Sequence, residues 1–269
     1  MRTLENRGAL VTGAGRGIGA AVARKLAQEG ARVFVTDVDA DALDEVADAI
    51  GAGRLAGDLT DPQFADRLVG EADGFCGGLD IIVNNAGFIW PQAIHRMSDD
   101  QFDTLVDIHA GAPFRILRAA SPLFREAARR DLAEGRARHR KVVNISSIIA
   151  LSGSAMSANY AAGKAAVIGL TKAMAKEWGR YNVNVNCVAF GMIDTRLTDP
   201  AGADNPVLEI GGKAVNIGKM GANADAIREM IPMGRSGTVE EAAGGVYLFC
   251  SPDSDYVTGQ VVVVGGGLG

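Results

Sequence analysis

Cysteine is scarce in this chain, and its scarcity narrows the kinds of protein that the chain can be. Only 3 of the 269 residues are cysteines, and they are far apart and odd in number: Cys76, Cys187 and Cys250. This arrangement disfavours a disulfide framework and a cysteine-based metal site, and we expect buried thiols instead. The sequence therefore predicts a protein without a bound metal.

Long apolar runs and an excess of basic residues are also missing. No stretch is long enough to cross a bilayer, and the N-terminus lacks the apolar core of a signal peptide, so we expect a cytoplasmic protein. The net charge of −5 and the pI of about 5.3 favour neither nucleic acid nor an anionic membrane as the main partner. One basic run, Arg136–Lys141, lies between a helical pattern and a strand pattern. We interpret it as a solvated connection.

Short apolar runs alternate with longer helical patterns along the whole chain. Continuous apolar strands separated by helices indicate a parallel sheet that is covered on both faces. The sequence shows no linker, repeat or low-complexity tract, so we predict one α/β domain over residues 1–269, built on a single Rossmann-type doubly wound sheet. The predicted strands are Ala9–Val11, Arg32–Thr36, Leu79–Val83, Lys141–Ile145, Asn182–Val188 and Gln260–Val264, and the predicted helices are Gly17–Glu29, Asp41–Ile50, Asp99–Glu134 and Asn159–Trp178.

Two segments need separate interpretation. The helical stretch Asp99–Glu134 contains Pro113 and Pro122, which predict at least one bend or break. Residues 198–230 are rich in glycine, asparagine, aspartate and alanine and show weak periodicity. A segment of this length inside a compact domain is often a lid or a binding loop, so we predict that it holds the substrate.

The first predicted strand runs directly into a glycine-rich loop, Thr12–Gly19, and then into a helix. Glycines allow a sharp turn and let a pyrophosphate approach the helix N-terminus, whose free N–H groups and dipole favour anions. This context predicts a dinucleotide site.

Asp37 follows the second predicted strand, about 20 residues after the glycine loop, where a carboxylate accepts hydrogen bonds from the adenosine ribose and repels a 2′-phosphate. Its position favours NAD over NADP as the cofactor. Arg16 argues weakly the other way, because an arginine could contact a 2′-phosphate. The alternative role for Asp37 is that of a helix N-cap or turn residue, since Asp39 and Asp41 follow closely.

Tyr160 and Lys164 are four residues apart, so in a helix they share one face. An ammonium group beside a phenol favours the phenolate. A drop of about 3 units from the ordinary tyrosine pKa requires about 4 kcal/mol, which one lysine seldom supplies. A second cation, such as an oxidised nicotinamide ring, would help. The pair is therefore informative only together with the dinucleotide site that the glycine loop predicts.

These motifs, in their order and spacing, resemble those of a classical short-chain dehydrogenase/reductase, and the resemblance extends from about Leu4 to the C-terminus. Within that family the chain is most similar to the 3-oxoacyl-carrier-protein reductase and hydroxyacyl dehydrogenase-like members. The resemblance rests on Thr12–Gly19, Asp58, Asn84–Gly87, Asn144–Ser147, Tyr160–Lys164 and Thr258–Gln260.

The resemblance implies a role for each matching position. Tyr160 transfers a proton, Lys164 binds the nicotinamide ribose and lowers the pKa of Tyr160, and Ser147, rather than Ser146, polarises the substrate oxygen. Asp58 and Leu59 contact the adenine. The full set of implied cofactor contacts is Gly13, Arg16, Gly17, Ile18, Gly19, Asp37, Asp58, Leu59, Asn85, Ala86, Gly87, Ile108, Tyr160, Lys164, Gly191, Ile193 and Thr195.

Three positions depart from the family pattern. His109 stands where the family usually has an asparagine that helps to relay protons to water. Imidazole can also relay protons, so we expect retained activity and include His109 among the catalytic candidates; a merely packed histidine is the alternative. Phe190 replaces the usual proline and could reshape the nicotinamide pocket. Gly265 stands where an aspartate is common, and no consequence follows from the sequence alone.

The predicted function is reversible hydride transfer between NAD(H) and a secondary alcohol or ketone. Trp90, Met156 and Phe190 are apolar and indicate a hydrophobic or 3-oxoacyl-type substrate. A dinucleotide-binding regulator that has lost catalysis is the rival of another class, and a methyltransferase is a second rival. The family usually forms tetramers, and a face of small residues would permit close packing between subunits, although internal packing would give the same pattern: Ala162, Ala165, Ala166, Gly169 and Ala173.

Overall fold

The computed structural model describes residues 3–195, 207–210, 213–216 and 224–269. Strands and helices alternate through most of these residues. In chain order the elements are β1 Gly8–Thr12, α1 Gly17–Gln28, β2 Arg32–Thr36, α2 Ala40–Ile50, β3 Gly53–Arg54, α3 Phe64–Cys76, β4 Ile81–Asn84, α4 Asp99–Val106, α5 Ala112–Ala133, β5 Arg140–Ser147, α6 Ile149–Ser152, α7 Ala158–Trp178, β6 Val183–Phe190, β7 Val207–Ile210, β8 Lys213–Asn216, α8 Ala224–Met230, α9 Val239–Cys250 and β9 Val261–Val264.

Seven strands form one sheet in the order β3-β2-β1-β4-β5-β6-β9, and all neighbouring pairs are parallel. This is the order of a doubly wound, Rossmann-type sheet, which confirms the predicted fold class. The direction of winding reverses between β1 and β4. In such sheets a crevice opens at the reversal point, at the carboxyl ends of the strands, and ligands bind there.

The apolar residues of the strands alternate between two buried layers, because successive side chains on a strand point to opposite faces. Leu10 and Ile82 belong to a layer that includes residues of α3, α5 and α7. Val11 and Val83 belong to the other layer, which includes residues of α1, α2 and α9. All three cysteines are free and buried, as the sequence predicts.

The predicted interruption of the helix after residue 99 is a π-helical turn, Asp107–Gly111, between α4 and α5. The N–H group of Ala112 donates to the carbonyl of Asp107, five residues earlier, which is the spacing of a π-turn. Pro113 follows at the start of α5, where its missing N–H group costs little, and Pro122 lies inside that helix. The turn places His109 toward α7.

The predicted substrate loop, residues 198–230, is described only in part. Residues 207–210 and 213–216 form an antiparallel pair, β7 and β8, and residues 224–230 form α8, so the segment contains regular structure that its weak periodicity does not indicate. The rest of the loop, residues 198–206, 211–212 and 217–223, lies outside the described residues.

The interpretation of Arg136–Lys141 as a solvated connection is correct for its first residues, which are exposed between α5 and β5, and wrong for its C-terminal part, which is buried. Arg140 and Lys141 are only 4% and 3% exposed, and both lie in β5. Arg140 donates to Asp131 at 2.8 Å, and Lys141 pairs with Asp255 at 2.7 Å. Buried charges are tolerated when they are paired in this way.

Two further residues complete this charged cluster at the amino end of the sheet. Arg138 donates two hydrogen bonds to Asp80, at 2.7 and 2.6 Å. His139 is partly buried and bonds with Asn184 at 3.1 Å. Within the described part of the chain, no helix combines the length and apolar character needed to cross a bilayer, and no three metal-binding side chains cluster together.

Candidate functional site

A cavity of about 670 Å³ opens at the reversal point of the sheet. Its volume lies within the usual range for ligand sites, about 300–1,000 Å³. Every predicted site residue except His109 lines it: Gly13, Arg16, Gly17, Ile18, Gly19, Asp37, Asp58, Leu59, Asn85, Ala86, Gly87, Ile108, Ser147, Tyr160, Lys164, Gly191, Ile193 and Thr195.

The glycine loop is built by close contact between backbones. A Cβ atom at Gly19 would lie 2.1 Å from the carbonyl oxygen of Gly13, and one at Gly13, where φ is +64°, would lie 2.7 Å from the Cα of Ala86. At Gly17, φ is +55°, and a Cβ atom would point into open space with Thr195 as its nearest neighbour at 3.9 Å. A side chain at any of these positions would strain or displace the loop.

The N-terminus of α1 faces this cradle without a capping side chain. Arg16 occupies the N-cap position but makes no side-chain hydrogen bond to the helix, and the first turn contains no acidic residue. The first N–H groups of a helix need acceptors from outside it, and together with the helix dipole they favour a phosphate. The loop and helix therefore fit the pyrophosphate of a dinucleotide.

Asp37 faces the glycine loop. One oxygen of its carboxylate accepts from the N–H of Gly15 at 2.9 Å, and the other accepts from the N–H of Asp39 at 3.1 Å. The N-cap of α2 is Asp39, which accepts from Ala42, so the alternative of Asp37 as the N-cap is wrong, although Asp37 does take part in the turn.

Arg16 is paired with Asp39. This ion pair offsets the charge that would attract a 2′-phosphate, whereas the carboxylate of Asp37 lines the cavity. Asp37 and the Arg16–Asp39 pair are thus the charged groups that bear on the choice between NAD and NADP.

Asn85 fixes the segment after β4 against the glycine loop. Its amide donates to the carbonyl oxygens of Thr12 at 2.9 Å and Gly13 at 3.0 Å. The hydroxyl of Thr12 in turn accepts from the N–H groups of Asn85 and Ala86, both at 3.0 Å. These four bonds hold the two walls of the crevice in one arrangement, so the motif Asn84–Gly87 has a structural role in addition to lining the cavity.

Ser147, Tyr160 and Lys164 come together from two elements. Ser147 ends β5, and α7 presents Tyr160 and Lys164 one turn apart. The ammonium group of Lys164 lies 5.8 Å from the centroid of the Tyr160 ring and donates to the carbonyl of Ile145 at 2.8 Å. Ser147 lies near enough to Tyr160 for its hydroxyl to favour the phenolate. The hydroxyl groups of Ser147 and Tyr160 and the ammonium group of Lys164 thus lie together on one wall of the cavity.

Burial has a stronger effect on the charges of this group than its members have on one another. It raises the pKa of Tyr160 to about 12, although the nearby hydroxyl of Ser147 acts in the opposite direction. Burial also lowers the pKa of Lys164 to about 8, against a smaller raising effect of Cys187. The protein's own groups therefore keep Tyr160 protonated at neutral pH, and the lowering of its pKa that the sequence predicts does not come from Lys164 alone.

Ser146 and Ser147 have different surroundings. The hydroxyl of Ser146 donates to the backbone carbonyl of Lys164 at 2.7 Å, which ties β5 to α7. Ser147 is the serine whose hydroxyl acts on the pKa of Tyr160, and its oxygen accepts from the N–H of Ile149 at 3.2 Å. This geometry supports the choice of Ser147 as the residue that meets a substrate oxygen.

His109 lies behind the cavity wall. Its Nε2 atom bonds with the carbonyl oxygen of Phe88 at 2.8 Å, and its ring meets Tyr160 edge-on, with ring centroids 5.0 Å apart. Burial, followed by the charge of Lys164, lowers its pKa well below the ordinary value, so the ring is neutral. Among the described residues, Nδ1 has no hydrogen-bond partner.

The end of the cavity beyond Ser147 is mostly apolar. Phe190, which the sequence assigns to the substrate, lines it, whereas Trp90 and Met156 are not among the lining residues. Sequence reasoning missed most of this wall because its residues are distant along the chain and carry no motif. Ile227 and Met230, which also line this end, belong to the predicted substrate segment 198–230. The missed residues are Ile148, Ile149, Ser152, Gly153, Ser154, Met192, Leu268 and Gly269.

Comparison with known proteins agrees with this geometry. The family model described as enoyl-(acyl carrier protein) reductase matches residues 13–269. A 3-oxoacyl-(acyl-carrier-protein) reductase of Chlamydia muridarum is 33% identical over 98% of each chain, and the protein of the same name from Escherichia coli is 31% identical over 98% of each chain. Nodulation protein G of a Rhizobium species is 34% identical over 100% of this chain and 99% of its own length.

A family model and full-length relatives thus coincide with a Rossmann-type sheet whose cavity holds the glycine loop, the serine, the tyrosine and the lysine. The chain therefore belongs to the short-chain dehydrogenase/reductase family, whose members are oxidoreductases that bind a nicotinamide dinucleotide.

Proposed function

We propose that the protein catalyses reversible hydride transfer between NAD(H) and a secondary alcohol or ketone of the hydrophobic, 3-oxoacyl type. The observation that carries the proposal is the convergence of Ser147, Tyr160 and Lys164 on one wall of the cavity that the glycine loop borders. The names of the relatives, which are reductases of 3-oxoacyl groups, and the apolar wall beyond Ser147 support the substrate class.

In the direction of reduction, Tyr160 gives its proton to the substrate oxygen while Ser147 holds that oxygen by a hydrogen bond. A nicotinamide dinucleotide held by the glycine loop and Lys164 would be the source of the hydride in reduction and its acceptor in oxidation. Because burial keeps Tyr160 protonated at neutral pH, it is ready to act as a general acid. In the direction of oxidation, the phenolate of Tyr160 removes the hydroxyl proton, and the ammonium of Lys164 stabilises the phenolate.

Replacement of Tyr160 by phenylalanine tests the chemical assignment. We expect Y160F to keep the fold and to lose a factor of about 10² to 10⁴ in kcat, the usual contribution of a positioned proton donor. Activity is measured as nicotinamide oxidation with a short 3-oxoacyl thioester, and a 2-enoyl thioester is run beside it, because the matching family model bears the enoyl name. The matched control is Y256F, at a tyrosine on the open surface.

Three outcomes would contradict parts of the proposal. Turnover near the wild-type rate in Y160F would refute the role of Tyr160. Reduction of the enoyl compound alone would replace the 3-oxoacyl class. Binding of NAD without turnover of any alcohol or ketone would support the rival role of a dinucleotide-binding regulator.

The preference for NAD is tested separately. Asp37 lines the cavity, and Arg16 is already paired with Asp39. We therefore expect a higher kcat/KM with NADH than with NADPH, and we expect D37N to reduce that preference about tenfold, the effect of roughly 1.4 kcal/mol. D41N, which changes an exposed acid in the first turn of α2, is the control. A wild-type preference for NADPH would refute this assignment.

A further inference from the structure

The segment after β9 returns to the cavity and forms part of its apolar wall. Leu268 packs with Met192, Ile231 and Ile227 in a small apolar cluster, and Leu268, Met192 and Ile227 also line the cavity. The next residue, Gly269, lies beside Ile148: a Cβ atom built on it would be 3.7 Å from that side chain. Ile148 directly follows Ser147, so this segment borders the end of the cavity where a substrate oxygen would be held.

Three glycines shape this return. A Cβ atom at Gly265 would lie 2.6 Å from the carbonyl oxygen of Leu268, one at Gly266 would lie 2.9 Å from Ile231, and one at Gly267 would lie 2.8 Å from Pro232. Gly266 and Gly267 also have positive φ angles, +62° and +94°, which favour glycine. Position 265, where an aspartate is common, must be glycine in this arrangement. The carbonyl oxygen of Leu268 approaches it so closely that a side chain would not fit.

Backbone hydrogen bonds tie the glycines to the elements on either side. Gly191, at the end of β6, donates to Val264 at 3.0 Å, and Met233, which follows α8, donates to Gly266 at 3.1 Å. The N–H of Leu268 donates to Gly265 at 3.0 Å. These backbone hydrogen bonds hold the main chain of Leu268 in place, in addition to the packing of its side chain.

We propose that Leu268 is a specificity-determining residue, which limits the length of the alkyl chain that the apolar end of the cavity accepts, and that Gly265–Gly267 hold it in place. This inference rests on the proposed function of the same site and adds a limit on the length of the substrate's alkyl chain, which that function does not specify. An alkyl chain attached to a carbonyl beside Ser147 would extend along Ile148 toward Met192, Leu268 and Ile227. A chain long enough to reach Leu268 would have to displace it or stop there.

Each methylene buried in an apolar wall improves binding about fourfold, from about 0.8 kcal/mol per group. We therefore expect kcat/KM for straight-chain 3-oxoacyl thioesters of N-acetylcysteamine to rise by about this factor per carbon and then level off or fall. In L268A the turning point should move to chains longer by roughly two or three carbons, since the substitution removes three carbon atoms from the wall. In L268F it should move to shorter chains. L132A, at an exposed leucine of α5, is the matched control.

A second variant tests the glycines without changing Leu268. In G265A the new methyl group conflicts with the backbone of Leu268 and should move it from the wall, so the turning point should shift to longer chains, as in L268A. G244A is the control, because a Cβ atom at Gly244 meets nothing within 4 Å. A turning point at the wild-type length in both L268A and G265A would overturn the proposal.

Failure of the proposed function would be visible in another way. If the wild-type protein turns over no member of the series, the proposed reaction is wrong, and the wall is then tested by calorimetric titration with straight-chain 1-alkanols from butanol to octanol. An affinity that rises with length in the wild-type protein, with a limit that shifts to longer chains in L268A, supports the apolar subsite. An affinity that does not change with length, or a limit that is the same in both proteins, overturns it.

Discussion

At the scale of single residues, Tyr160 and Lys164 show how burial and charge compete. The sequence predicts that Lys164 lowers the pKa of Tyr160. In the structure Lys164 is buried and Tyr160 is partly buried. Because burial opposes any charged form, the pKa of Tyr160 rises to about 12 and that of Lys164 falls to about 8. The spacing of the pair could be predicted from the sequence, but the depth of its burial is set by the fold around it. That depth gives Lys164 an effect on stability that can be measured.

The first prediction concerns the pH dependence of stability. Lys164 has an ordinary pKa of 10.5 and a pKa of about 8 in the folded protein, so between these values the unfolded chain binds more protons than the folded one. Folding stability from this group is therefore greatest above pH 10.5 and is lost as the pH falls through 8. Relative to K164M, the wild-type protein should gain roughly 2 kcal/mol in its free energy of unfolding between pH 7 and pH 9.5.

Denaturant unfolding of the two proteins at both pH values measures this difference directly. The cysteines ionise near pH 9 in the unfolded chain, whereas burial raises their pKa to about 11 for Cys76 and Cys187 and about 12 for Cys250 in the folded protein. All three are present in both proteins, so most of their contribution cancels in the comparison. K176M, at an exposed lysine of the same helix, should show no such pH-dependent difference. A constant gap between the wild-type protein and K164M would show that Lys164 keeps an ordinary pKa.

His109 has two predicted roles, proton relay and packing, that lead to different measurements. Its Nε2 atom bonds with the carbonyl oxygen of Phe88, and its ring contacts Tyr160 edge-on, with centroids 5.0 Å apart. We therefore infer that His109 positions Tyr160 through the edge-on contact of the two rings. The sequence could not distinguish these roles, because both need a histidine at the same place.

The second prediction separates the two roles of His109. H109F keeps a ring of similar shape against Tyr160 but has no nitrogen, whereas H109A removes the ring. If His109 acts by position, H109F should lose less than tenfold in kcat, and H109A should lose clearly more, with KM for the ketone little changed. The pH profile between 5.5 and 8 should be the same in the wild-type protein and in H109F, because the buried imidazole is neutral throughout. A loss in H109F as large as in H109A would instead support the relay.

At the scale of elements, the contact of α4 with α7 sets the position of the tyrosine and the lysine. Gly163 lies between these two residues, and a Cβ atom there would be 2.8 Å from the carbonyl oxygen of Leu105 and 3.0 Å from the Cβ of His109. The helix that carries Tyr160 therefore approaches the π-turn at backbone distance. The prolines predict an interruption in this region, but its form and its contact with α7 depend on tertiary packing.

The third prediction follows from this contact. G163A should lower the free energy of unfolding by about 1–3 kcal/mol, the usual cost of overpacking, and should lower kcat by shifting Tyr160. G70A is the control, since a Cβ atom at Gly70 in α3 meets nothing within 4 Å, and there the better helix propensity of alanine should leave stability unchanged or slightly higher. Thermal and denaturant unfolding of both variants make the comparison. Equal stability of the two would mean that α7 can move away from Leu105 at little cost.

The elements that sequence patterns predict best are those with strong apolar character. The six strands predicted from apolar runs are all present within a few residues, because a strand buried on both faces must be continuously apolar. Helices α3 and α9 were missed. Their buried faces include small residues, such as Ala65, Ala72, Ala242 and Ala243, and both helices contain glycines, so their periodicity is weak. The burial of Arg140 could not be predicted because its partner, Asp131, meets it only through the fold.

At the scale of the whole molecule, the small residues of α7 form a face that is open to the surface of the chain. Ala165, Ala166, Gly169 and Ala173 are exposed, and a Cβ atom at Gly169 would meet nothing within 4 Å. Internal packing within one chain, the alternative that the sequence leaves open, therefore does not account for this face. The outer strand β9 is also partly open, with Val262 and Val263 39% and 38% exposed.

The fourth prediction is that the protein is a homotetramer in which the small face of α7 lies between subunits. Light scattering during size-exclusion chromatography should give four times the chain mass of 27.9 kDa. G169R, which places a long charged side chain on this face, should give a smaller species, whereas G70R, at an exposed glycine of α3 with open space around it, should not. A wild-type mass of one chain would refute the prediction.

The single-domain organisation also stays a prediction, for which one cooperative unfolding transition is the expected result.

The cavity joins two kinds of wall that respond differently to change. Where the dinucleotide is expected, the cavity wall is formed by backbone segments in close contact. Gly19 packs against Gly13 in this way, and Gly13 packs against Ala86. At the apolar end they are side chains from separate segments, including Met192, Ile227 and Leu268. Side chains at the apolar end can therefore be exchanged, in evolution or by design, to change the substrate preference. The backbone contacts that bind the cofactor would be unaffected by such exchanges.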